Sequence, residues 1–377
     1  MTEFSLDKYI TSIGHLIDKQ FLLNCHRAMK ADKAVGIDGV KKSDYEDKLV
    51  QEALRRILET VFEPMFYDEM MGFRLQRGCY MAIKKLNVMI ERNYTSYILD
   101  ADIQGFFDHI DHEWAVKFVE SRIKDSNIIR LLRRMLKAGI MKNYTYEETE
   151  EGSGQGSVCS PIIANIYMHY VLLWWFKECI QPRMKSFGGI VVYADDFVVC
   201  FQYKQEAEKF YKLLKSRIEH FELHLQEEKS RLIEFGRFAE SNCRKRGKKP
   251  ETFTFLGFTH YCSKSRNGRF RVKRKTSRKK FSKKCKEVHK LISEMRTLPI
   301  KDIVHKLNQI LVGYYHYYGI ADNSRSIGSF NYRVMCSLFY WLNRRGQKHS
   351  YNWTQFLDML HKNYPLAPAK IYVSIYD

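Results

Sequence analysis

The chain has 377 residues, 45% of them hydrophobic, and its 63 Lys and Arg against 43 Asp and Glu leave a net charge of +20. It is long enough to bury a sizeable core over two or three domains, and so basic a surface calls for a polyanionic partner, nucleic acid first. The nine cysteines are odd in number, scattered and without a CxxC pair, which argues against a disulfide framework or zinc site and for a reducing compartment.

Residues 1–35 read as one or two helices, with Ile10, Ile13, Leu16, Ile17 and Phe21 near helical spacing. The opening MTEFSLDKY lacks the apolar stretch of a signal peptide. GIDGV (36–40) reads as a turn. Asp44 to Met65 carries the apolar stripe of a helix, with Ser43 and Glu46 placed as a capping box. Arg74 and Arg77 then precede a helix over 82–92; they are candidates for phosphate contact, or ordinary surface charges. Tyr97–Leu99 predicts a strand running into Asp100 and Asp102, which would share one face. Asp108 and Asp111 suit caps of a helix starting near His112. Amphipathic helices over 113–142 and a short hairpin around Tyr144 to Glu148 follow. Gly152 to Tyr170, GSGQGSVCSPIIANIYMHY, is a glycine-rich loop entering an apolar helix, where small residues permit close backbone approach and Gln155 offers donor and acceptor. The apolar run Ile162 to Phe176, broken by Asn165 and His169, is too short to span a bilayer, so a soluble, cytoplasmic protein with no membrane partner is expected.

Gly188 to Phe201, GGIVVYADDFVVCF, places two adjacent acids between β-branched and aromatic runs. A hairpin with Ala194-Asp195-Asp196 at its tip would hold both carboxylates at the end of a sheet. They form either a solvated turn or a site neutralised by a divalent cation. A helix over 204–224 leads to a turn and strand carrying Lys229. Asn242 to Lys249 is the best linker candidate, FTFLGFTHYC (253–262) a strand pair broken at Gly257, and Arg266 to Arg269 a hairpin turn. Lys264 to Lys286 contains thirteen Lys or Arg and no acid. That density, in a strand (RFRVKRK) and then a helix, suits a surface that tracks phosphates. The remainder is helical and rich in aromatics.

Three acids on two sheet elements, Asp102 with Asp195 and Asp196, fit a two-metal phosphoryl-transfer site. A glycosidase-like carboxylate pair would also use two acids, but would not explain the charge and the basic run. The order YILDADIQGFFDHIDH, GSGQGSVCSPIIANIYMHY, VVYADDF, LQEEKSRLIEFGRF and FTFLGFTHY resembles the successive palm motifs of reverse transcriptases, and most resembles the group II intron-encoded type, the intron maturases and their relatives. The resemblance runs from about residue 25 to the C-terminus.

It implies an α+β right-hand palm, an antiparallel sheet with helices, over 94–262, preceded by an N-terminal and reduced fingers region (1–93) and followed by a basic helical thumb (263–377). It implies RNA-directed DNA synthesis with two Mg²⁺ ions, held by Asp102, Asp195, Asp196 and the Ile103 carbonyl. Phe107 would exclude a ribose 2′-hydroxyl, Gln155 would lie against the incoming dNTP, and Lys229 near the leaving pyrophosphate. Phe255, Leu256 and Gly257 would grip the primer end. Lys273, Arg274, Lys275, Arg278, Lys279, Lys280, Arg344 and Arg345 would meet an RNA template with its DNA primer, or a structured intron RNA. The sequence departs from the family in two respects. The family's downstream DNA-binding region and zinc-dependent endonuclease find no counterpart, with no suitable Cys/His cluster, so no endonuclease domain is expected. The fingers are also short. Only Lys41 to Asp44 separate the GIDGV turn from the next helix, where relatives carry a fingers hairpin with a Lys and an Arg for the triphosphate. Lys41, Lys42, Arg74 and Arg77 are the available substitutes. The short fingers leave an alternative open, an RNA-binding splicing cofactor that polymerises little or nothing.

Overall fold

The computed structural model describes residues 9–28, 46–137, 140–142, 145–147, 157–346 and 350–376. The expected GIDGV turn, the capping box at Ser43 and Glu46, Lys41, Lys42 and Gln155 lie outside the described residues or side chains. The chain forms two compact units, Met1–Ile233 and Glu234–Asp377. Their division falls inside the stretch that the resemblance gives to the palm.

In the first unit, helices α1 (Lys19–Ala28), α2 (Glu46–Phe62) and α3 (Cys79–Arg92) precede strand β1 (Tyr97–Asp102). Then come α4 (His112–Glu120), α5 (Ser126–Lys137), the short hairpin β2 (Ile140–Lys142) and β3 (Thr145–Glu147), and α6 (Ser160–Met168), which continues as a π-helix over His169–Ile180. Strands β4 (Gly188–Tyr193) and β5 (Asp196–Phe201), helix α7 (Lys204–Glu219) and strand β6 (Arg231–Glu234), whose last residue begins the second unit, follow. The sheet order is β4-β5-β1-β6, with β1 antiparallel to β5 and β5 to β4. Ile190, Val192, Phe197, Val199 and Phe201 reach the core from the hairpin and meet α6, its π-helical extension and α7 there. Asp111 caps α4, accepting from the Trp114 N–H at 2.7 Å. Asp108 does not; it ends a 3₁₀ turn, Phe106–Asp108, because Gly105 at φ 53° redirects the chain first.

The second unit holds helix α8 (Ala239–Lys245), the antiparallel sheet β7 (Phe253–Phe255), β8 (Phe258–Lys264) and β9 (Phe270–Thr276), and helices α9 (Arg278–Glu294), α10 (Ile300–Tyr318), α11 (Ser324–Leu342) and α12 (Trp353–Asn363). Val288, Ile292, Leu307, Leu311, Phe330 and Leu338 are among the buried residues that bind the helices together. The expected linker at Asn242–Lys249 is instead part of this unit. Its first residues continue α8, whose Ala239 and Cys243 are buried, and Arg246 pairs with Glu234.

Candidate active site

Strands β4 and β5 are joined by a two-residue turn, Ala194-Asp195, with Tyr193 opposite Asp196. Ala194 has φ 57° and Asp195 does not share it, the sign pattern of a type II′ turn. An alanine in that region is strained by about 1–2 kcal/mol. The β1–β5 register sets Asp102 directly opposite Asp196, so the two side chains leave the same face of the sheet. Asp195 stands beside them at the turn. The three acids named from sequence are thus brought to one end of one sheet.

Lys229 joins them. Its Nζ donates to Asp102 Oδ2 at 2.8 Å, from a turn that the Lys229 N–H closes onto the Gln226 carbonyl. Burial pushes the Asp195 carboxyl above its ordinary pKa, and the negative charge of Asp102 adds to the rise. A bond from its own backbone N–H and the Lys229 ammonium act against it. A half-buried acid beside another acid favours a cation that can share both. Ile103 forms an isolated bridge to Leu225, flanked by Gln104 N–H to His224 O and Gln226 N–H to Asp102 O, each 2.8 Å. Those flanking bonds turn Ile103's own C=O toward the opposite edge, the side of β5. Among the described residues no three His, Cys, Asp or Glu side chains already form a metal cage. The donor set, carboxylates and a carbonyl at an open sheet end, is nevertheless of the kind Mg²⁺ takes, one or two carboxylates completed by water and substrate phosphate.

A strap braces the hairpin from outside. Val192 N–H donates to Glu69 O at 2.9 Å and Met71 N–H to Val192 O at 2.8 Å. Buried Asn165 donates to the Gly72 carbonyl at 2.9 Å. Gly72 lies so close to the turn that a Cβ there would sit 2.5 Å from the Ala194 nitrogen. Sequence reasoning missed this strap; its only signals were Gly72 and an asparagine interrupting an apolar run. Phe107 is half-buried, edge-on to Phe106 at 5.4 Å and to exposed Phe73 at 6.3 Å.

Two expected phosphate contacts are corrected. Arg74 is 9% exposed. It donates to Glu63 Oε1 at 2.9 Å and to the carbonyls of Tyr67 and Met70 at 2.8 and 3.0 Å, with its guanidinium over the Phe66 ring. It is a strut of the strap. Arg274 is wholly buried, because β9 alternates and residue 274 points inward with Val272 and Thr276; it donates to the Val272 carbonyl at 2.6 Å. Arg77 pairs with Asp68 at 2.7 Å.

The remaining candidates lie in the second unit. Phe255 ends β7 opposite Phe258, and Leu256 and Gly257 form the β7–β8 turn, with Leu256 at φ 49° and Gly257 at φ 77°; the Tyr317 hydroxyl donates to the Leu256 carbonyl at 3.1 Å. Lys275, Arg278, Lys279 and Lys280 are exposed and Lys273 half-buried. Arg344 stacks on Tyr340 at 4.0 Å, and Arg345 donates to the Leu298 carbonyl at 2.7 Å.

Residues 41–260 match the family described as Reverse transcriptase (RNA-dependent DNA polymerase), and residues 278–356 match the Group II intron, maturase-specific domain. Over 141 residues the chain is 40% identical to the Group II intron-encoded protein LtrA of Lactococcus lactis subsp. cremoris, covering 37% of this chain and 22% of that protein. It is 36% identical over 167 residues to the Uncharacterized 91 kDa protein in cob intron of Schizosaccharomyces pombe, covering 44% of this chain and 20% of that one. The matched stretches span about a fifth of these relatives' length. Among solved structures, apo telomerase from Candida Tropicalis is similar at a TM-score of 0.45 and 13% identity, over 84% of this chain and 53% of the other. Among the described residues no helix is long and apolar enough to cross a membrane.

Proposed function

The chain belongs to the reverse transcriptase family, of the group II intron-encoded kind, and from that premise we propose that it is an RNA-directed DNA polymerase that also binds a structured intron RNA. The observation that carries the reading is the convergence of Asp102, Asp195 and Asp196 on one sheet end, with Lys229 as counter-ion. In this reading the three carboxylates and the Ile103 carbonyl hold two Mg²⁺. When bound, the metal supplies Lewis acidity for phosphoryl transfer from a dNTP to a primer 3′-hydroxyl. The protein's own share is position and charge. The strap fixes the turn that presents Asp195. Lys229, paired with Asp102, brings a positive charge for the departing pyrophosphate. Phe107 walls the sugar side, Gln155 meets the nucleotide, and Phe255 to Gly257 hold the primer end. Lys273, Lys275, Arg278, Lys279, Lys280, Arg344 and Arg345 meet the RNA and primer backbones.

The test is primer extension on an RNA template with Mg²⁺ and dNTPs, wild type against Asp195→Asn. Extension by wild type alone, with equal RNA affinity in both proteins, is expected. Equal extension by the variant would sink the metal assignment. A second reading, an RNA-binding splicing cofactor with little polymerase activity, draws support from two observations. The sequence has no room for the fingers hairpin, and two substitutes for its cations are engaged, Arg74 as a buried strut and Arg77 with Asp68. Absence of extension with RNA binding retained would favour it.

A further inference from the structure

Helices α9 and α11 of the second unit pack side by side, with Phe281 edge-on to Phe330. They start at the same end. Thr276 N–H donates to Asn323 Oδ1 at 2.9 Å, and Asn323 Nδ2 donates to Thr276 Oγ1 at 2.9 Å, so the residues leading into both helices are tied together. Beside this tie lies a groove of about 1120 Å³. Lys275, Arg278, Arg325 and Arg333 line it, and no Asp or Glu does. None of these four cations is ion-paired among the described residues, and α11 contains no acid at all. Tyr332, 55% exposed, is a further wall, held at its edge by Trp353.

From this groove we infer a binding site for a single-stranded segment of RNA, its phosphates on the four cations and a base on Tyr332. The inference deepens the RNA-binding half of the proposed function and rests on it. The groove is open along the two helices rather than an enclosed pocket, a shape that favours a polymer segment over a mononucleotide. Four unpaired cations with two helix N-termini beside them match a run of phosphates. A duplex would satisfy the cations but keeps its base faces stacked, and only an unstacked base can use the exposed ring. Nothing in the sequence marks Arg325, Tyr332 and Arg333, which stand outside the dense basic run.

The test uses the full chain, with fluorescence anisotropy on a labelled single-stranded RNA and a blunt RNA duplex of the same length, over a series of salt concentrations. Arg325→Ala with Arg333→Ala should reduce the salt slope for the single strand by about 1.4, at roughly 0.7 for each phosphate no longer neutralised. Tyr332→Ala should weaken single-strand binding by about tenfold while leaving duplex binding unchanged. Arg325→Lys with Arg333→Lys should keep the wild-type slope, which separates removal of charge from failure to fold. Ultraviolet cross-linking of 5-bromouracil-substituted RNA should mark Tyr332. Unchanged affinity and slope in both alanine variants would overturn the groove alone, and so would equal weakening on strand and duplex. A wild type that binds neither RNA would overturn the groove together with the RNA-binding half of the proposed function, leaving primer extension to judge the other half.

Discussion

Gly72→Ala is the sharpest probe of how the acids are held. Gly72 has an ordinary φ, so the substitution adds no backbone strain of its own and tests contact only. Its new Cβ would meet three backbone atoms of the hairpin turn, the Ala194 nitrogen at 2.5 Å, the Tyr193 carbonyl carbon at 3.1 Å and the Ala194 Cα at 3.3 Å. No side chain can rotate out of the way. To bring 2.5 Å to the 3.4 Å of ordinary contact, strap and turn must part by 0.9 Å. The strap is pinned by Asn165 and by the bonds at Val192, so the turn carrying Asp195 takes much of the shift. Overpacking of this kind costs about 1–3 kcal/mol, or roughly 2–12 °C in Tm for a unit of this size. A displacement near 1 Å at a reacting centre costs on the order of 10²-fold in rate. Differential scanning fluorimetry and steady-state primer extension should therefore both fall. Gly78→Ala is the control, since a Cβ there meets nothing within 4 Å. A Gly72→Ala protein with wild-type Tm and wild-type extension would show that the strap does not position the turn.

Asp195→Asn should raise Tm at neutral pH even as it removes the acid. The carboxyl's folded pKa lies above its ordinary 3.8, so the folded state holds the proton more tightly and stability falls as pH rises through that interval. The advantage of Asn should shrink as pH is lowered toward 3.8, and a variant less stable than wild type at pH 7 would contradict the assignment. Arg74→Met should cost about 2–3 kcal/mol in urea unfolding, because it leaves the Met70 carbonyl without its donor, removes one of the two donors to the Tyr67 carbonyl and breaks the pair with Glu63. If Arg74 met phosphate instead, the variant would keep its stability and lose RNA or nucleotide affinity.

The parts of this protein legible in sequence are those whose cause is local. Ile190 to Tyr193 and Phe197 to Phe201 declare two strands by composition, and two strands so close in sequence can only turn back on each other, which delivers Asp195 and Asp196 to a sheet end. Asp102 follows from the same logic one strand away. What sequence reasoning got wrong was a matter of side-chain direction. Arg274 sits in a run so basic that every member looks solvent-facing, yet strand alternation from Val272 sends it inward, where Tyr376 waits 102 residues further along the chain. Arg74 is misread for the same reason. Its partners at Glu63, Tyr67 and Met70 make it a strut only once the strap has folded back. Charge density therefore locates a surface but cannot say which cations reach it. Arg74 and Arg77, available substitutes for the cations of the fingers hairpin, are engaged as a buried strut and with Asp68, while Arg325 and Arg333, undistinguished in sequence, carry no ion pair among the described residues and share a groove. The cationic capacity of the second unit thus lies in the spacing along α11 as much as in the basic run before it, and variants of the run alone should leave part of the RNA affinity intact.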